Sequence, residues 1–150
     1  MKKVLAAFLA IAAVFSLTAC SGGNASGGKS ASAAPSGNAA SSGGKVGVSM
    51  PTQSLQRWNQ DGANMKAELE KAGYTVDLQY AGDNDIPTQV SQLENMISGG
   101  CKALVVAAID GSALTEVLKG AKDKKIPVIA YDRLIMNSNA VTYYATFDNY

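Results

Sequence analysis

Residues 103–108, Ala-Leu-Val-Val-Ala-Ala, form an almost wholly apolar run of six. The length suits a strand, and the lack of polar positions indicates that both faces of the strand are covered. Strands of this kind occur in parallel sheets that carry helices on both sides. The run therefore predicts an α/β fold, which the flanking segments support.

Two strand–helix pairs precede this run. The apolar residues 46–50 end at a proline and predict the first strand, while alternation over residues 75–80 predicts the second. Two helices follow from apolar residues at spacings of three and four, with glycines as their C-terminal stops. Their marker residues are Trp58, Gly62, Met65, Leu69 and Ala72 before Gly73, then Ile86, Val90, Leu93 and Ile97 before Gly99-Gly100.

The same alternation continues after residue 108. Residues 110–112, Asp-Gly-Ser, predict a turn and a helix cap, and Leu114, Val117, Leu118 and Ala121 mark a third helix. Strands are predicted over residues 127–130 and 141–147. Alternating strands and helices with short connections predict a doubly wound parallel sheet with right-handed crossovers.

The first 44 residues do not have the pattern of a folded domain. Lys2 and Lys3, a short apolar run and small residues predict a signal peptide over residues 1–19. Leu17-Thr18-Ala19-Cys20 resembles the bacterial lipobox, so Cys20 is predicted to be acylated; the alternative is an ordinary signal peptide with a chance Cys. Residues 21–44 contain only Ser, Gly, Ala, Asn, Lys and one Pro, which predicts a disordered tether over 20–44 and a folded part over 45–150.

The composition weighs against several classes of function. Thirteen basic and twelve acidic residues give a net charge of +1 without a basic stripe, so nucleic acid is an unfavourable partner. The chain has no His, which removes the usual general base and the commonest metal ligand. Two Cys cannot form a structural zinc site, and Cys101 is predicted to be a small buried hydrophobe.

Ligands of doubly wound sheets bind at the carboxyl ends of the strands. The loop after the first strand has neither Gly-x-Gly-x-x-Gly nor Gly-Lys-Ser/Thr, which disfavours dinucleotide and phosphate-cradling sites. A phospho-acceptor domain would need clustered carboxylates there to face Asp110, and they are missing.

Four residues near these strand ends suit a neutral ligand with many hydroxyl groups. Asp132 can accept from adjacent hydroxyls, Arg57 and Arg133 can donate, and Trp58 can stack on the C–H face of a sugar ring. Two simpler interpretations remain open. Trp58 lies on the apolar stripe of its helix and can be a core residue, and Asp132 and Arg133 can form a surface ion pair.

Several motifs across residues 45–150 carry a resemblance to a known family. The region resembles the N-terminal lobe of periplasmic sugar-binding proteins of ABC transporters, in particular the xylose-binding and ChvE-like multiple-sugar-binding branch. The matching segments are Arg57-Trp58, Asp77-Leu78-Gln79-Tyr80-Ala81, Gln92-Leu93-Glu94-Asn95-Met96, Ala108-Ile109-Asp110-Gly111, Ala130-Tyr131-Asp132-Arg133-Leu134-Ile135 and Tyr143-Tyr144-Ala145-Thr146-Phe147-Asp148-Asn149.

The resemblance implies two α/β lobes that close on an aldose, with Arg57, Trp58, Asp132 and Arg133 as sugar-binding residues. It implies transfer of the sugar to a membrane permease, with no catalysis and no cofactor. Family members continue for about as long again, so the chain is expected to be a fragment truncated before the second lobe. The last strand is then expected to expose an apolar face.

Other functions share parts of this pattern. A chemotaxis or signalling receptor for the same sugar would have the same fold. A sugar-responsive repressor would need an N-terminal helix-turn-helix, where this chain has the predicted leader and tether. An exported enzyme is disfavoured because no nucleophile–base pair is present. We therefore expect a lipid-anchored sugar receptor of the cell envelope, facing the periplasm or the exterior.

Overall fold

The computed structural model describes residues 43–147 of the chain. The predicted signal peptide, Cys20 and nearly all of the predicted tether lie outside these residues. None of the described helices has both the length and the apolar character needed to cross a bilayer. The elements are β1 (Lys45–Met50), α1 (Gln56–Lys71), β2 (Thr75–Tyr80), α2 (Ile86–Ser98), β3 (Ala103–Val106), α3 (Thr115–Asp123), β4 (Val128–Tyr131) and β5 (Val141–Ala145).

The five strands form one sheet in the order β2-β1-β3-β4-β5, and every neighbouring pair is parallel. Strand order reverses direction at β1, so the topological switch point lies between β1 and β3. The predicted doubly wound α/β fold is confirmed.

Two apolar cores lie on opposite faces of this sheet. One joins α2 and α3 to β3 and β4, and the other joins α1 to β1 and β2. The stretch 103–108 contributes to both, because Leu104 and Val106 belong to the first core while Val105 and Ala107 belong to the second. This double burial is the physical reason why the stretch contains no polar residue.

Some element boundaries differ from the sequence prediction. β3 ends at Val106, so Ala107 and Ala108 are buried but lie beyond the strand. Asp110 does not cap α3: its carboxylate accepts from the backbone N–H groups of Ser112 and Ala113 at 2.7 and 3.2 Å, within the turn that precedes the helix. β5 ends at Ala145, two residues short of the predicted end.

The ends of the helices follow backbone conformation. Gly73 and Gly100 take the positive φ values that the predicted stops require, 89° and 82°. α3 ends differently, since Lys125 takes φ 58° where no glycine marks the position. Cys101 is 1% exposed and burial raises the pKa of its thiol, which confirms the prediction of a small buried hydrophobe.

Candidate functional site

The loops after β1, β2, β3 and β4 surround a groove of about 220 Å³ at the switch point. This is the place where ligands bind in sheets of this topology. Residues from all four loops and from α1 line the groove: Pro51, Thr52, Leu55, Trp58, Gly82, Asp83, Asn84, Ile109 and Arg133.

Arg57 and Asp132 meet beside this groove although 75 positions separate them in the chain. Arg57 lies in the first turn of α1, and its Nη2 donates to Oδ1 of Asp132 in the loop after β4. The Arg57 side chain is 49% exposed, whereas that of Asp132 is 16% exposed. In this pair the carboxylate is therefore mostly covered by protein, and the guanidinium reaches solvent.

The backbone of Asp132 is held in an unusual conformation. Its φ is 62°, in the left-handed region that a residue with a side chain adopts at a cost. Its N–H donates to the carbonyl of Ala145 at 2.7 Å, and its carbonyl accepts from the Tyr144 hydroxyl at 3.1 Å. The last two residues of β5 therefore fix the direction in which the Asp132 carboxylate leaves the chain.

Arg133 bridges the loops after β3 and β4. Its Nη1 donates to the carbonyl of Ala108 at 3.1 Å, with the carbonyl of Ile109 at 3.4 Å. Its guanidinium carbon lies 5.1 Å from the centroid of the Trp58 ring, within the range of a cation–π contact. The remaining N–H groups of the guanidinium are donors that can serve a ligand.

Trp58 is a core residue in this structure, since it is 2% exposed and packs with β1 and β3 side chains. The guanidinium carbons of Arg57 and Arg133 lie 4.6 and 5.1 Å from its ring centroid. The ring thus supports both predicted donors. Direct stacking of Trp58 on a sugar stays a prediction, and it would require one of these groups to move.

The four predicted site residues form one cluster of contacts. Asp61, Tyr131 and Phe147 also belong to it and were not predicted. Asp61 places Oδ2 at 3.7 Å from Nε of Arg57, and this buried oxygen has no hydrogen-bond partner within residues 43–147. The Phe147 ring lies 4.9 Å from the Arg57 guanidinium carbon and packs edge-on against Tyr131 at 5.8 Å. The i, i+4 spacing from Arg57 to Asp61 was a usable signal, but no local pattern marks Phe147.

Burial and the negative charge of Asp61 raise the pKa of Tyr131 to about 12. Arg57, Asp61, Asp132 and Phe147 also border a second groove of about 460 Å³ beside the first. Charged, aromatic and hydrogen-bonding groups thus surround both grooves.

A larger groove of about 640 Å³ lies elsewhere, between α3 and residues 137–139. It is lined by exposed polar groups such as the Lys119–Asp123 pair, and it contains none of the four predicted site residues. Topology and chemistry rather than volume therefore mark the candidate site. Within the described part of the chain, no group of three His, Cys, Asp or Glu is placed to hold a metal ion.

The model of the periplasmic binding protein domain matches residues 46–150. The chain belongs to the periplasmic binding protein family. The match covers the described sheet from residue 46 onward, and it includes all four predicted site residues.

Among curated members of this family, the multiple sugar-binding periplasmic receptor ChvE of Rhizobium radiobacter is 59% identical over 107 residues. These residues are 71% of this chain and 30% of that protein. The D-xylose-binding periplasmic protein of Escherichia coli K12 is 39% identical over 105 residues, which are 70% of this chain and 31% of the relative. The chain thus spans about 30% of the length of the curated relatives it matches.

Solved structures of family members agree with the fold. An ABC transporter solute-binding protein from Clostridium phytofermentans, with bound β-D-glucose, is 70% identical and superposes with a TM-score of 0.68 over 70% of this chain and 32% of the other. A carbohydrate transporter solute-binding protein from Chloroflexus aurantiacus, in complex with D-glucose, is 35% identical with a TM-score of 0.63, over 69% and 30% of the two chains.

Proposed function

We propose that this chain supplies the N-terminal lobe of the substrate-binding component of an ABC sugar importer. The captured ligand is a monosaccharide, an aldose of the xylose or glucose type. The observation that carries this proposal is the convergence of Arg57, Asp132 and Arg133 at the carboxyl edge of the sheet. The names of the relatives, which include multiple-sugar, xylose and glucose binders, support the choice of ligand class.

The chemistry of the three residues fits a neutral polyol. The Asp132 carboxylate is held low in the cluster and can accept from two adjacent hydroxyls. Arg133 has donors left beyond the Nη1 group that binds the β3 loop, and these can reach ring or hydroxyl oxygens. Arg57 forms an ion pair with Asp132, so the two side chains together present hydrogen-bond donors and acceptors without a net charge.

Binding without catalysis is part of this proposal. The relatives are described as sugar-binding receptors and solute-binding proteins, and none of these descriptions is of an enzyme. Arg57, Asp132 and Arg133 bind hydroxyl groups through hydrogen bonds, and Trp58 supports the two guanidinium groups. None of these residues is placed as a nucleophile beside a base. Partners are the sugar and a membrane permease.

The family and the N-terminal sequence support the proposed location. The curated relatives are periplasmic proteins, which supports export from the cytoplasm. The lipobox-like residues 17–20 support acylation of Cys20 and anchoring of the lobe to a membrane. The resulting receptor faces the periplasm or the cell exterior.

The test is calorimetric titration of the natural protein in its full length with xylose, glucose, arabinose and galactose. We expect saturable heat with at least one aldose. Arg133→Ala should weaken that binding by about tenfold or more, because each charge-assisted hydrogen bond contributes about 1.5–3 kcal/mol.

Lys119→Ala is the matched control, since it also removes an exposed cation but lies in α3, outside the switch-point groove. Its affinity should equal that of the unaltered protein. Absence of heat with every monosaccharide would refute the proposed ligand class, and equal losses in both variants would refute the proposed site.

A further inference from the structure

Gln89 is a fully buried polar side chain on α2, with 0% of its surface exposed. Its Nε2 donates to the carbonyl of Ala107 at 3.0 Å and to Oγ of Ser49 at 3.2 Å. Its Oε1 accepts from the backbone N–H of Ile109 at 2.9 Å. Both N–H donors and the oxygen of this amide are therefore hydrogen-bonded within the protein. These bonds offset the free-energy cost of burying a polar group.

The backbone groups that Gln89 binds lie beyond the end of a strand. β3 stops at Val106, so the N–H of Ile109 and the carbonyl of Ala107 are outside the ladder of the sheet. Gln89 replaces the neighbouring strand there and supplies both hydrogen bonds. Its contact with Ser49 ties this segment to the end of β1, across the switch point.

One peptide unit connects Gln89 to the candidate site. The N–H of Ile109 and the carbonyl of Ala108 belong to the same planar peptide group, and they point in opposite directions. Gln89 accepts from the N–H at 2.9 Å, and Arg133 donates to the carbonyl at 3.1 Å. A rotation of this peptide plane would therefore break both bonds at once, and the two bonds polarise each other through it.

We propose that Gln89 is a positioning residue for the sugar site: it fixes the peptide plane between Ala108 and Ile109, and through this plane it holds the guanidinium of Arg133. The assignment of a sugar as the ligand rests on the proposed function. The mechanical link from Gln89 to Arg133 does not, because it consists of contacts within the lobe.

Gln89→Met tests this link, because it keeps the length of the side chain and removes every hydrogen bond. Gln92→Met is the matched control on the same helix. Gln92 donates to the carbonyl of Tyr80 at 3.0 Å, at the end of β2, and has no bond to residues 107–109. Both variants lose an amide that donates to a backbone carbonyl, fully buried for Gln89 and half-buried for Gln92, so a purely structural role predicts effects of the same kind at the site.

The first measurement needs no sugar. Nuclear magnetic relaxation of the Arg133 Nε–H group, identified by its absence in Arg133→Lys, reports how firmly the guanidinium is held. We expect greater mobility of this group in Gln89→Met and no change in Gln92→Met. Unchanged mobility in Gln89→Met overturns the proposal, whether or not the protein binds an aldose.

The second measurement is a double-mutant cycle on aldose affinity. We expect Gln89→Met to weaken binding by about tenfold, and the double variant with Arg133→Ala to be only slightly weaker than Arg133→Ala alone. Multiplicative losses would overturn the proposal. Binding of no aldose by the unaltered protein would refute the proposed function instead, and the relaxation measurement would still decide the role of Gln89.

A less disruptive variant covers the case in which Gln89→Met does not fold. Gln89→Asn keeps an amide but ends one methylene short of Ile109. It should increase the mobility of Arg133 in the same way. If Arg133 stays as immobile as in the unaltered protein, the proposal fails.

Discussion

Gly62 allows α1 to approach β2 closely. A Cβ atom at this position would lie 2.3 Å from the hydroxyl oxygen of Tyr80 and 3.2 Å from Cδ1 of Leu78. The same hydroxyl is near the carbonyls of Trp58 and Asn59, at 3.5 and 3.3 Å. The glycine therefore leaves room for a tyrosine that binds the first turns of the helix carrying Arg57 and Trp58.

Gly62→Ala should lower the free energy of unfolding by about 1–3 kcal/mol through overpacking, although alanine favours helices. Tyr80→Phe in the same chain should recover part of the loss, because it removes the nearest clashing atom. Urea unfolding followed by circular dichroism measures both effects.

Gly120→Ala is the control for this prediction. Gly120 lies inside α3, and no atom is within 4 Å of its added Cβ. This substitution should raise stability by up to about 1 kcal/mol, since only helix propensity changes. Stabilisation by Gly62→Ala as well would show that the contact with Tyr80 is not tight.

The raised pKa of Tyr131 predicts that the free energy of unfolding depends on pH in the alkaline range. Its pKa is raised to about 12 in the folded chain, by burial and by the negative charge of Asp61, from an ordinary value near 10. The folded state therefore favours the protonated phenol. This contribution to stability is complete below pH 10 and is lost as the pH rises from 10 to 12.

Tyr131→Phe removes this contribution without altering the lysines that titrate in the same range. The unaltered protein should lose stability relative to the variant between pH 10 and 12, and the difference between the two should be constant at lower pH. Urea midpoints at pH 8, 10 and 11 measure it. A constant difference from pH 8 to pH 11 would contradict the raised pKa.

β5 forms one edge of the described sheet, beside β4. Tyr143 and Tyr144 are 69% and 46% exposed, so the strand presents aromatic surface to solvent, as the sequence predicted. An exposed edge strand with apolar side chains is a template for pairing with another strand. The 150-residue chain is therefore expected to self-associate through β5.

Tyr143→Lys should reduce this association, because a charged side chain on an edge opposes pairing with a second copy. Sedimentation velocity at several concentrations measures it. Tyr74→Lys is the control, since Tyr74 is 37% exposed but precedes β2 at the other side of the sheet. Equal association of all three proteins would exclude β5 as the contact.

The elements that the sequence predicted best are those with one dominant periodicity. β2 was predicted with its observed bounds, and the apolar stripes of α1 and α2 with their glycine stops fixed the helices. The start of α3 was missed because Asp110 has the sequence signature of a cap while its carboxylate serves the preceding turn. The end of that helix could not be predicted from the sequence, because Lys125 takes the positive φ that a glycine usually provides after a helix.

The site was predictable only in part. Strand ends and parallel topology located Arg57, Asp132 and Arg133, and the resemblance to a family selected the same residues. The ion pair between Arg57 and Asp132 depends on a packing distance across 75 positions, which no local pattern contains. Trp58 fitted two predictions, a core residue by its apolar spacing and a sugar-stacking residue by its aromatic ring. Its 2% exposure shows that it is a core residue.

The two cysteines of the chain are predicted to have different roles, because Cys20 is predicted to be acylated and Cys101 is buried. Cys20→Ala should move the protein from the membrane pellet to the soluble fraction, because the predicted lipid attachment is lost. Cys101→Ala should leave it in the membrane, since that thiol is buried just ahead of β3. Fractionation followed by immunoblotting measures both, and membrane recovery of Cys20→Ala would contradict the lipid anchor.

The direction of β1 has a practical consequence. β1 begins at Lys45 on the amino edge of the sheet, and the candidate site lies on the carboxyl edge, about 20 Å away for a strand of six residues. Attachment to a sensor chip through the amino end of β1 would therefore hold the lobe by the side opposite the candidate groove. An immobilised optical biosensor built in this orientation would leave the groove open to the flowing sample.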